Sequence, residues 1–143
     1  MRSAPDMAID VGMVLTVTSE VIAKLLEDAA RAHPEECCGL LLGQGEHIEE
    51  ARPSANVAFD RTIRFEIDPA VLLKAHREAR NGGQQVLGYY HSHPTGSESP
   101  SVTDRELAGR DGRVWAIIAS GRVAFWLDHA EGFAAAEWVL SGS

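Results

Sequence analysis

From residue 11 onward the chain alternates between short apolar runs and amphipathic stretches, and the period of each predicts its element. Residues 11–17 read as a short strand. Val21, Ile22, Leu25, Leu26, Ala29 and Ala30 then recur at helical spacing behind Thr18 or Ser19, either of which can cap a helix, and Pro34 ends it. Residues 37–43, Cys-Cys-Gly-Leu-Leu-Leu-Gly, form an apolar run too short for a typical helix, the pattern of a central strand buried on both faces. A turn at 44–46 leads to a strand at 47–52 and a loop over 53–56, and residues 62–67 read as extended. Asp68-Pro69 combines a capping carboxylate with a proline whose missing N–H costs nothing there, so it opens a helix that runs to about Asn81 and stops at Gly82-Gly83. Residues 86–93 form the next strand. Ser101 and Asp104 have capping-box spacing for a short helix through about Ala108. Residues 114–119, 123–128 and 133–140 are terminal strands, the first two joined by a tight Ser120-Gly121 turn. This order predicts a single-domain α/β or α+β fold over 12–143, with helices packed on a mixed β-sheet and a flexible arm over residues 1–11.

Composition narrows the picture. A chain of 143 residues with 45% hydrophobic content supports one core without covalent staples. The formal net charge of −8 argues against a nucleic-acid surface, which needs clustered Lys and Arg to neutralise phosphates. Arg2, Asp6 and Asp10 interrupt the first dozen residues, so no export signal is read there, and no run approaches the ~20 apolar residues of a membrane helix. A cytoplasmic protein is expected. Cys37 and Cys38 are adjacent, and strand alternation aims them at opposite faces, against a disulfide or a metal site shared between them.

The chemistry concentrates in His91-Ser92-His93-Pro94 and Ser101-Val102-Thr103-Asp104. On a strand, residues two apart project the same way, so both imidazoles reach toward one point. Pro94, Gly96 and Pro100 then break regular structure, and the loop is long enough to return Asp104 as a third ligand. Two imidazoles and a carboxylate suit a catalytic zinc, with a fourth position left for water. Ser101 has two readings, helix cap and hydroxyl of the reacting centre. Glu36 stands at the mouth of the buried strand, where an acid needs a reason. His33, His47, His76 and His129 lack a partner at ligand spacing in the sequence, and Trp115, Trp126 and Trp138 are expected to build the core. Asn56 and residues 64–69 carry no catalytic expectation.

Glu36-Cys37-Cys38-Gly39, His91-Ser92-His93-Pro94 and Ser101-Val102-Thr103-Asp104 together resemble the JAMM motif of the JAB1/MPN/Mov34 metalloproteases, over roughly residues 13–140. The short length is similar to the minimal prokaryotic members. The resemblance implies an MPN-like sheet, one zinc ion held by His91, His93 and Asp104, Glu36 as general base and acid, and Ser101 helping to hold an oxyanion. It further implies a peptidase or isopeptidase whose partner is a ubiquitin-like or sulfur-carrier protein with a Gly-rich C-terminal tail. Two other readings exist around this superfamily. A noncatalytic MPN scaffold would lack the metal set, and a RadC-like DNA-repair-associated protein sits poorly with the acidic balance.

Overall fold

The computed structural model describes residues 13–141, so the expected arm over 1–11 lies outside the described residues. The elements are β1 (Val14–Thr18), α1 (Ser19–Ala32), β2 (Cys38–Gln44), β3 (His47–Ser54), α2 (Pro69–Arg80), β4 (Gln85–Ser92), α3 (Val102–Leu107), β5 (Val114–Ala119), β6 (Arg122–His129), β7 (Gly132–Ala135) and β8 (Glu137–Ser141). The helix starts follow from their caps. Thr18 Oγ1 accepts the Val21 N–H at 3.1 Å, Asp68 Oδ1 accepts the Ala70 N–H at 3.0 Å, and Ser101 with Asp104 closes a complete capping box.

The strands make one mixed sheet of eight in the order β7-β6-β5-β4-β2-β3-β1-β8. β1 runs parallel to β3 and β8, and β4 runs parallel to β5, while the remaining neighbours are antiparallel. The expected single strand over 133–140 is instead two strands, β7 and β8, at opposite ends of this order. Only Ala136 separates them, and one residue spans at most about 3.6 Å. A flat sheet of this width would hold its edges roughly 30 Å apart. The sheet therefore curls until its two edges meet, with the Ala136 N–H bonded to the Phe125 carbonyl at 2.9 Å.

The curl encloses α1. Val21 and Leu25 of the helix pack with Leu15, Val17, Leu41, Ile48, Tyr90 and Phe125, each 2% exposed or less. On the opposite face of β2, Leu40 and Leu42 pack with Ala75 of α2 and Val86. The central strand is thus apolar on both sides because it is covered on both, by α1 and by α2. Each fully buried Leu or Ile contributes about 1.5–3 kcal/mol, so the two layers fix β2 rigidly beside β4. Gly88 permits the close approach on β4's other side: a Cβ there would lie 1.7 Å from the Val114 carbonyl oxygen of β5.

Two further expectations are corrected. Residues 62–67 make no strand ladder: 61–63 form a turn, 64–66 are irregular, and Ile67 makes an isolated bridge to Asn56. The strand β3 runs on through Pro53 to Ser54, because Pro53 pairs with Gly39 and Ser54 with Cys38. Of the three tryptophans, Trp115 is buried and Trp138 packs edge-on against Phe125 at 5.2 Å. Trp126 does something else, donating its indole N–H to the Glu98 carbonyl at 3.0 Å and tying down the loop that follows His93.

Candidate active site

The register of the two central strands builds the site. Cys38 of β2 faces His91 of β4, and continuing this antiparallel register two residues sets Glu36 opposite His93. Strand alternation puts His91 and His93 on one side, and α3, started by its Ser101 cap, presents Asp104 from its first turn. The N–H of His93 is held by the Ile118 carbonyl of β5 at 2.8 Å, so both histidines sit on framework rather than on free loop.

The side chains converge. His91 Nε2 and His93 Nε2 lie 3.2 Å apart, and each is 3.0 Å from the Asp104 carboxylate. His91 and Asp104 are buried. The His93 Nδ1–H donates to the Ser97 carbonyl at 2.6 Å, which leaves Nε2 as the bare nitrogen of the neutral ring. Phe65 stacks on His91 with ring centroids 4.3 Å apart, and Trp115 meets the same ring edge-on at 5.6 Å.

This cluster has more acceptors than protons. Two imidazole nitrogens and a carboxylate point at one spot; with both rings neutral only His91 Nε2–H can donate there, so the bare His93 Nε2 and the Asp104 carboxylate still face each other as acceptors at 3.0 Å. A cation would resolve the conflict, and one ligand atom from each residue falls within 4.8 Å of the others. The donor set, two nitrogens and one oxygen, is that of a catalytic zinc with one position left open. Burial works against charge on both rings. It lowers the pKa of His91, whereas on His93 the hydrogen bonds to Asp104 and Ser97 outweigh it and raise the pKa. Burial also opposes the Asp104 charge, but in the metal-free site hydrogen bonds from His91, from His93 in its protonated form and from the Ser101 N–H hold its carboxyl well below the usual range.

Glu36 is 5% exposed, and its Oε1 is buried with no hydrogen-bond partner. Burial, with Asp104 nearby, pushes its pKa from 4.5 up to about 7, against the pull of His93 and Arg64. An acid held this way costs stability when it ionises. As pH rises, the unfolded chain releases this proton near 4.5 and the folded chain only near 7, so the metal-free protein loses stability across that window and levels off above it. Glu36→Gln cannot ionise. We expect it to match the parent at pH 4 and to exceed it at pH 8 by about 3 kcal/mol in urea unfolding of chelator-stripped protein. Equal pH slopes for the two proteins would remove Glu36 from the buried set.

Ser101 Oγ accepts the Asp104 N–H at 3.0 Å. That cap uses an oxygen lone pair and leaves the hydroxyl proton uncommitted, so capping and donation toward the cleft are compatible. Glu36, Thr62, Ile63, His93 and Ser101 line one cleft of about 400 Å³. The cysteines stay out of the chemistry. Burial pushes both thiols up to about 12, Cys37 faces the α1 core, and Cys38 lies against the Ser54, Ala55 and Glu66 carbonyls.

Several contributors are not evident from motif spacing. Ser92 Oγ accepts the Cys37 N–H at 2.9 Å, and the Ser92 N–H reaches the Cys37 carbonyl at 3.2 Å, pinning the end of β4 to the residue after Glu36. Phe65 covers His91, and Asn56 contacts the Glu36 backbone. The signals available were a serine between two candidate ligands, a lone aromatic in a polar run and an amide side chain in a loop.

A curled mixed sheet with a buried acid beside a His-His-Asp cluster defines a hydrolase of the JAMM/MPN class. The model for prokaryotic homologs of the JAB domain matches residues 18–129, and the chain belongs to that family. It is 34% identical over 101 residues to a desampylase of Haloferax volcanii, covering 69% of this chain and 73% of the relative. It is 27% identical over 109 residues to a CysO-cysteine peptidase of Mycobacterium tuberculosis, covering 75% and 74%. The solution structure of a Desulfitobacterium hafniense protein superposes with a TM-score of 0.80 at 29% identity, covering 91% of this chain and 94% of that one. No helix among the described residues is long and apolar enough to cross a membrane.

Proposed function

We propose that the protein is a zinc-dependent peptidase or isopeptidase that hydrolyses the amide bond at the end of the C-terminal tail of a ubiquitin-like or sulfur-carrier protein. The observation that carries this reading is the buried, unpartnered oxygen of Glu36 beside three converging ligand groups. His91, His93 and Asp104 would hold the metal. Zinc, when bound, supplies positive charge that acidifies water toward neutral pH and polarises a carbonyl.

The chain's own groups do the rest. Glu36 accepts a proton from the attacking water and returns it to the departing amine, a role that its elevated affinity for protons suits. The free Ser101 proton points a donor at the carbonyl oxygen, where charge grows in the transition state; one such donor is commonly worth about 3 kcal/mol. His93 is kept in a single tautomer by Ser97, so its ligating nitrogen is always presented. Substrate choice follows from the cleft, whose walls include Gly96, Ser97, Ser99 and Thr103. A Gly-rich tail lacks side chains and can lie close against such walls, while its backbone supplies hydrogen bonds. The names of the relatives, a desampylase and a CysO-cysteine peptidase, support carrier conjugates as the substrate class.

The test is incubation of zinc-loaded protein with ubiquitin-like and sulfur-carrier proteins extended beyond their Gly-rich tails, read by intact mass. Cleavage at the tail, abolished by chelator and restored by zinc, is expected. A broad panel left intact by protein carrying stoichiometric zinc would overturn the proposal.

A further inference from the structure

The loop over residues 57–66 has no ladder of its own, yet it supplies the ring that covers His91 and the carbonyl that receives the Glu36 N–H. Backbone bonds close it from Val57 N–H to the Glu66 carbonyl at 2.9 Å and around Asp60, and one side chain ties these parts to the site. Asn56 Nδ2 donates to the Glu36 carbonyl at 3.1 Å and to the Arg64 carbonyl at 3.0 Å. Asn56 Oδ1 accepts the N–H of Ala58 at 3.0 Å and of Glu66 at 3.0 Å. All four hydrogen-bonding capacities of the amide are used, and all go to backbone.

The choice of partners matters more than their number. Arg64 and Glu66 are the two neighbours of Phe65, so Asn56 grips the chain on both sides of the ring that stacks on His91 at 4.3 Å. At the same time it holds the carbonyl of Glu36, whose N–H is held by the Arg61 carbonyl of the same loop at 2.8 Å. One amide therefore ties the acid to the loop and the loop to a ligand histidine. A backbone that lacks its own ladder needs such a partner to keep its buried polar groups satisfied.

We infer that Asn56 is a positioning residue of the centre, setting Glu36 and the Phe65 cover of His91 in register through the 57–66 loop. This rests on the proposed function for its catalytic consequence, but its metal and backbone consequences can be read without any substrate. Asn56→Ala removes all four bonds. Asn56→Asp keeps the accepting oxygen and the size of the side chain but loses the two donations to Glu36 and Arg64.

Three measurements test it. Zinc affinity, from competition with a chromophoric chelator, should fall roughly tenfold to a hundredfold in either variant, the range typical when a group orienting a ligand is lost. Amide exchange at Glu36 should accelerate in both variants and at Glu66 in Asn56→Ala, whose accepting oxygen is gone, while β2 and β4 stay protected. On a carrier conjugate, kcat should drop by about tenfold or more at a KM within about threefold of the parent, as expected when only positioning of reacting groups is lost. A lowered Tm with zinc affinity and Glu36 exchange at parent levels would mean a merely structural role and would overturn the inference. So would rapid exchange of the Glu36 amide in the parent itself, a measurement that stands even where neither variant folds. A parent that cuts no carrier sinks the proposed function alone, since zinc affinity and exchange still decide the role of Asn56.

Discussion

Replacing Glu36 by Gln is expected to lower kcat on a carrier conjugate by roughly two to four orders of magnitude while one zinc per chain is retained, the span that loss of a positioned proton carrier typically produces. The reasoning is steric as well as chemical. Gln has the shape of Glu and enters the same buried position, so neither the β2 start nor the backbone bonds to Arg61 and Asn56 are disturbed. Its amide cannot take a proton from water or give one to an amine. Because Glu36 is not among the three converging ligands, the metal set is untouched. The pH profile adds a sharper criterion. Burial holds the Glu36 pKa up to about 7 in the absence of metal, and a neighbouring cation pulls it down, so the acid limb of the parent's rate falls below neutrality. The parent should lose rate as pH falls through that limb, and the residual rate of the variant should lack it. Stopped-time cleavage assays with parallel zinc analysis measure both. A variant that loses zinc along with activity, or keeps turnover near the parent's, would contradict the proton-carrier role.

How much of this was legible in the sequence depends on whether local or distant pairing decides the element. β2 was legible because Leu40, Leu41 and Leu42 need cover on both faces, and α1 and α2 supply it. The helix starts were legible because Thr18, Asp68 and Ser101 satisfy backbone groups a few residues away. The pairing of His91 with His93 follows from strand period alone. By contrast, nothing local divides residues 133–140. Phe133 pairs with Asp128 on one edge and Trp138 with Leu15 on the other, and only the curl of the whole sheet brings those partners within one residue of each other. The turn that interrupts the extended reading of 62–67 is not visible locally for a related reason: no ladder runs through it, and the Asn56 side chain together with the Val57–Glu66 backbone bond holds it.

The same distinction applies within the site. The presence of Glu36, His91, His93 and Asp104 was readable from residue types and spacing; the register of β2 against β4 sets Glu36 opposite His93, and the Ser101-capped α3 brings Asp104 to both histidines. Their supporting atoms come from sequence-distant backbone and were not readable. The buried pair at Asp28 is another such case. It receives the Tyr90 hydroxyl at 2.7 Å and Arg31 Nε at 3.0 Å. Spacing sets Asp28 on the Val21–Leu25 face of α1, and in the fold it lies one turn below Leu25 and satisfies a tyrosine inside the core, a partner 62 residues away that spacing does not reveal. Burial pushes the Tyr90 pKa upward, and the hydrogen bond to Asp28 adds to the shift, so this hydroxyl stays a donor at any working pH.

Asp104→Asn should abolish the effect of zinc on both stability and turnover while leaving α3 in place. Asp104 serves two masters. One carboxylate oxygen receives the Ser101 N–H and completes the capping box, and the group as a whole faces both imidazoles at 3.0 Å. Asn keeps a carbonyl oxygen for the cap but gives up the negative charge that balances a divalent ion between two neutral rings. A ligand present at about a thousand times its dissociation constant stabilises the folded state by about 4 kcal/mol, or about 10 °C in Tm for a chain of this size. The parent should show a shift of that order on adding zinc to chelator-stripped protein, and the variant should show none. The metal-free forms should also differ. The Asp104 carboxyl is held below its ordinary range, so its charge contributes stability that is present above the unfolded carboxylate pKa and fades as pH falls through the folded one. Metal-free Asp104→Asn should therefore be less stable than the parent at neutral pH and converge with it in acid. Thermal melts across pH, with and without zinc, read every one of these outcomes. A variant that melts like the parent in zinc and still cleaves would show that the acid of the JAMM-like motif only caps α3, and the metal would then have to be held without it.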